Sequence, residues 1–164
     1  MKRWLLVVVG LLAVAACGGT SPAPFPQRRT VIGTLWNDAS TWILVGPNRH
    51  ALYIFCVERP VHCPGRQDPD YPPLLARGRV VAGPPGSRFG ENDHVRVSAS
   101  GLGTVELKNG ERQVTYHGDR LYTYRGDHKP GNIDIRGTHY SKRDGGEWDP
   151  VDASRGGTAI VGVY

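Results

Sequence analysis

The chain predicts a mainly β fold: a single domain of two pseudo-repeated three-stranded meanders packed as a small sandwich or barrel. Three observations carry that expectation. Gly33-Thr34-Leu35 returns as Gly103-Thr104-Val105, and Leu52-Tyr53-Ile54-Phe55 returns as Leu121-Tyr122-Thr123-Tyr124, a period of about seventy residues. The 22 Gly and 13 Pro among 164 residues supply turns and interrupt helices. Between those turns stand short runs of β-branched and aromatic residues, the composition of strands.

Residues 1–16 stand apart from the domain. Lys2 and Arg3 precede an unbroken apolar run over 4–16, which as a helix reaches roughly 20 Å against a hydrocarbon core of about 30 Å. The run is too short to span and reads as an export signal. It ends in Val14-Ala15-Ala16-Cys17, small residues followed at once by Cys, which resembles the bacterial lipobox. That resemblance implies a signal peptide over 1–16 and a diacylglyceryl thioether on Cys17, often with palmitate-like acylation of its new amino group. The lipid bilayer is then a partner, and the location is the bacterial cell membrane or envelope, outside the cytoplasm. Residues 17–30, with Pro22, Pro24 and Pro26, are too poor in apolar residues to pack and read as a tether.

The β-rich domain is expected over 31–160. Repeat 1 (31–58) offers strands at 31–36, 42–45 and 51–56, separated by Asn37-Asp38-Ala39-Ser40 and Gly46-Pro47-Asn48. A Pro/Gly-rich insertion (59–101) carries short strand-like runs at 79–82 and 94–98. Repeat 2 (102–150) places runs at 105–108 and 112–116 around Asn109-Gly110, a strong hairpin signal, and a third at 120–125 after His117-Gly118-Asp119. In each third strand alternate residues share a face. Tyr53 and Phe55, like Tyr122 and Tyr124, point one way, while Leu52, Ile54 and Leu121 point the other. A lone meander of this size is unstable in water, so the two copies must pack on each other.

With Cys17 assigned to lipid, Cys56 and Cys63 remain as an even pair in an exported chain, and a disulfide is their expected state. Their spacing is neither Cys-x-x-Cys nor that of a zinc ribbon.

Tyr122-Thr123-Tyr124-Arg125-Gly126-Asp127 fits a Tyr-x-aromatic-x-x-Asp pattern, flanked by Gln113-Val114-Thr115-Tyr116-His117-Gly118 and Lys129-Pro130-Gly131-Asn132. Together they resemble a family of predicted bacterial lipoproteins described as a secreted repeat of unknown function. Tyr53-Ile54-Phe55-Cys56-Val57-Glu58 repeats the motif with Glu for Asp. Tyr71-Pro72-Pro73-Leu74 is similar to the family's Trp-Pro-Pro-Leu element, and Trp148 resembles the Trp that closes the repeat, followed here by Asp149-Pro150. The resemblance spans roughly 31–150 and implies export and duplication, without a known reaction.

Loss of Lys2 and Arg3 with the signal leaves a mature net charge of about +3. No basic run exceeds Arg28-Arg29, so nucleic acid is not an expected partner. The acidic motif positions Glu58 and Asp127 read first as turn-stabilising carboxylates, and second as a pair converging on a cleft for a cation or a sugar. The motif aromatics read as core, with a stacking platform as the alternative. His50, His62, His94, His117, His128 and His139 lack metal-ligand spacing, and no nucleophile elbow or phosphate loop is present. No catalytic residue, metal or cofactor is therefore expected. The function expected is a membrane-anchored, non-catalytic binding or interaction module with an envelope protein or glycan as partner. The alternatives are an accessory in envelope redox or metal handling and, behind it, a hydrolase of envelope polymers.

Overall fold

The computed structural model describes residues 28–37, 41–58, 61–87, 94–133, 139–141, 145–154 and 159–160. Cys17 and the signal segment lie outside them. Among the described residues the chain is strands and turns, with one short 3-10 segment at Ala99–Gly101, so the mainly β expectation holds.

The first sheet starts as the repeat predicts. β1 (Arg29–Trp36) and β2 (Trp42–Val45) pair antiparallel from Gly33↔Val45 to Trp36↔Trp42. The next turn closes by an N–H of Gly46 donating to the carbonyl of His50 at 3.0 Å, with Arg49 in the left-handed region at φ 60°. Leu52 then donates to the carbonyl of Leu44. Beyond that bond β2 and β3 (Tyr53–Glu58) part. The β4 strand (Val61–His62) turns back on β3 as a hairpin, and β5 (Arg79–Ala82) runs parallel to β1 from Arg29↔Arg79 to Ile32↔Ala82. Two short strands, β6 (Gly86–Ser87) and β7 (His94–Val95), pair with each other.

The second copy forms its own sheet from β8 (Leu102–Glu106), β9 (Arg112–Tyr116) and β10 (Asp119–Arg120). The Asn109-Gly110 hairpin is present, as a three-residue loop: Leu107 donates to Glu111, and Gly110 alone takes a positive φ of 80°. Between β9 and β10 both His117 (φ 50°) and Gly118 (φ 93°) are left-handed, which matches a tight turn to the strand twist.

Near the C-terminal end β11 (His139–Ser141), β12 (Gly146–Asp152) and β13 (Ala159–Ile160) complete the first sheet, whose main path is β4-β3-β12-β2-β1-β5. β12 fills the gap left where β2 and β3 part. It pairs with β3 from Gly146↔Val57 to Pro150↔Tyr53 and meets β2 at Asp152↔Ile43. The segment 73–75 does the same in the second copy, bridging Leu75 to Gln113 and Pro73 to Tyr122. The bonds correspond one for one. Val151 donates to Leu52 and Ala153 to Trp42, just as Leu74 donates to Leu121 and Ala76 to Arg112. Each copy's meander is thus closed by an element that comes after the other's third strand.

Two clusters of buried side chains result. Leu52, Ile54 and Leu121 pack with Ile32, Leu44 and Val114, whereas Tyr53, Phe55 and Tyr122 pack with Ile43, Tyr71 and Trp148. This is the alternation read from the two third strands.

Candidate functional site

The motif strands meet at the approximate twofold between the copies. Tyr53 and Tyr122 exchange backbone bonds, each N–H donating to the other's carbonyl at 2.9 Å. Over that point the ring of Tyr71 stacks on Trp148 with centroids 3.9 Å apart and planes 2° from parallel. Tyr124 stacks on the Tyr71 ring at 5.0 Å, and Tyr122 meets Trp148 edge-on at 4.9 Å. Tyr71 and Trp148 hold equivalent places ahead of the two closing segments, so the aromatic stack lies where the copies interlock. Tyr53, Phe55 and Tyr122 are buried and Tyr124 half-buried. Burial pushes the Tyr53 and Tyr71 phenols well above their ordinary range, aided for Tyr53 by the Asp127 carboxylate and for Tyr71 by Tyr124. Both stay neutral.

Asp127 is 4% exposed and accepts a hydrogen bond from the Tyr53 hydroxyl, Oη to Oδ2 at 3.0 Å. The motif carboxylate of one copy is thereby tied to the motif aromatic of the other. The equivalent tyrosine, Tyr122, instead accepts from the backbone N–H of Arg66 at 2.8 Å. Glu58 ends β3 opposite Val61; its side chain lies outside the described residues.

Cys56 and Cys63 form the expected disulfide, with S–S 2.01 Å. They flank the β3–β4 hairpin, one position beyond the Val57↔His62 pair. The nearby guanidinium of Arg66 lies over the Phe55 ring at 5.6 Å. Among the histidines, His50 is half-buried in the turn after β2, while His117 and His128 are exposed; the side chains of His62, His94 and His139 lie outside the described residues. Among the described residues no group of three His, Cys, Asp or Glu could hold a metal ion.

A groove of about 560 Å³ opens beside Asp127. It is walled by the β2–β3 turn with His50, by the start of β1, by the 73–77 segment and by the motif residues after Tyr122. Three exposed arginines from three parts of the chain line it: Arg29, Arg77 and Arg125. The parallel pairing of β5 with β1 brings Arg77 in, its N–H donating to Thr30 Oγ1 at 2.6 Å. Residues so far apart in sequence, joined by a pairing with no local signal, escape sequence reading. A buried carboxyl in β12, Asp149, escapes it likewise.

These features define a class: a pseudo-duplicated β domain whose copies close one another around an aromatic stack. Residues 103–151 match the model of a family described as a secreted repeat of unknown function, the family that the second copy resembles on its residues. No curated protein and no solved structure matches the chain. A secreted repeat accords with a place outside the cytoplasm. Among the described residues no helix is long and apolar enough to cross a membrane.

Proposed function

We propose that the protein is a lipid-anchored, non-catalytic binding or interaction module of the bacterial envelope, held to the bilayer through acylated Cys17. The single observation that carries the binding role is the state of Asp127. This carboxylate, the one carboxylate among the described residues that line the groove, is buried and bonded to a neutral tyrosine, which suits holding a turn and a cleft wall in place better than shuttling protons. The groove beside it is open, and its walls are loops and strand ends braced by a doubly interlocked scaffold. Anchoring rests on the Val14-Ala15-Ala16-Cys17 sequence and its resemblance to a lipobox.

Two measurements test the reading. An alkyne-palmitate label should be incorporated into the chain in bacterial cells and lost in Cys17→Ala; equal labelling of both would refute the anchor. Photo-crosslinking from position 48, on the groove's rim, should recover a discrete envelope protein or glycan in intact cells. Recovery of no specific adduct would refute the binding role.

A further inference from the structure

The arginine-lined groove is more than an open cleft, because its charge is one-sided. Arg29, Arg77 and Arg125 are exposed along one opening, and none of the three makes an ion pair with a described residue. Among the described residues the only carboxylate lining that opening, Asp127, is buried and accepts from Tyr53. Guanidinium groups placed together repel one another, and a shared anion relieves that repulsion. A single carboxylate satisfies one guanidinium fork, whereas a phosphate ester, with three non-bridging oxygens as a monoester and two as a diester, presents them tetrahedrally and can accept from more than one fork at once. Leu74, Pro47 and Pro73 also line the groove and offer apolar surface to the carbon skeleton attached to such a group. The volume falls in the range of small-ligand sites.

We propose that this groove binds a phosphate ester, with Arg29, Arg77 and Arg125 as the groups that hold the phosphate. The inference deepens the binding-module reading and rests on it, but it stands whether or not Cys17 is acylated. Acylation decides only how near the groove sits to phospholipid headgroups. Arg29 stands only twelve positions after Cys17 in the sequence, so an anchored domain would carry the groove within reach of them. The shared chemistry, a phosphate on a polyol, occurs both in those headgroups and in soluble or polymeric envelope phosphates.

The test uses the chain from Gly18 onward, which retains every described strand and both core clusters. Calorimetry with glycerol phosphate at low salt, and flotation with vesicles of phosphatidylglycerol or phosphatidylcholine, supply the two arms. Saturable binding is expected, weakened about tenfold or more in Arg77→Gln/Arg125→Gln. The double variant Arg96→Gln/Lys108→Gln, which removes equal charge at exposed positions outside the groove, should bind as the parent does. Unchanged thermal midpoints in both variants would show that the fold is intact. Tighter binding to phosphatidylglycerol vesicles than to glycerol phosphate, lost in the groove variant, assigns the headgroup; binding to glycerol phosphate alone assigns a soluble source. Absence of saturable binding in both arms overturns the proposal, as does equal weakening in the two double variants. If crosslinking still recovers an envelope partner in that case, the phosphate site fails and the binding role stands.

Discussion

Asp149 is 1% exposed, in the middle of β12, and neither carboxyl oxygen has a hydrogen-bond partner. Burial, reinforced by the charge of Glu147, pushes its pKa up to about 7. The folded chain therefore keeps the proton after the unfolded chain has lost it at an ordinary carboxyl value of 3.8. Its contribution to stability is fully present below that value, is lost as pH rises through about 7, and amounts to a few kcal/mol. Asp149→Asn, which cannot ionise, should gain on the parent by about 2 kcal/mol more at pH 7.5 than at pH 4.5 in urea unfolding. An equal difference at both pH values would contradict this. Tyr53 behaves oppositely, because its hydroxyl has a partner worth keeping. Tyr53→Phe removes a bond to the buried Asp127 and should cost about 1.5 kcal/mol, read as a lowered urea midpoint with unchanged m-value. The buried motif aromatics were legible from strand alternation. The bond between Tyr53 and Asp127 was not, since it joins different copies and depends on how the second motif turns at Tyr124 to Asp127.

At the scale of elements, β3 is held by β12 on one edge and by the disulfide-closed hairpin on the other. Cys56→Ser/Cys63→Ser should lose roughly 2.5 kcal/mol, the chain-entropy value for so short a loop, as measured by denaturant unfolding of oxidised parent and variant. No loss would mean that the sheet alone fixes the hairpin. The opposite edge is closely packed too: a Cβ at Gly146 would press on the Phe55 ring and come within 2.6 Å of the Cys56 carbonyl oxygen. Most elements that rest on local signals were legible, including β1, β2, β3, β5 and the hairpin of β8 and β9. β12 was not. Asp149 and Pro150 break the apolar run that announces a buried strand, and Pro150 occupies a strand position where its missing N–H would normally argue against pairing.

At the scale of the molecule, the Tyr71–Trp148 stack lies between the two closing segments and ties the copies into one cooperative unit. Trp148→Ala should therefore cost about 3–5 kcal/mol and lower unfolding monitored in either sheet by the same amount. Separate transitions for the two sheets would show that they are independent. The duplication was legible because its motifs recur in order; the exchange of closing segments was not, because it is a long-range pairing and leaves no periodicity. That exchange also sets the order in which the fold can be completed. A chain made from its N-terminus offers β2 and β3 more than eighty residues before Gly146 appears, so the first sheet stays open until β12 has been made. For a secreted repeat, a sheet that closes only with β12 has a use: it delays closure while the chain is still being exported.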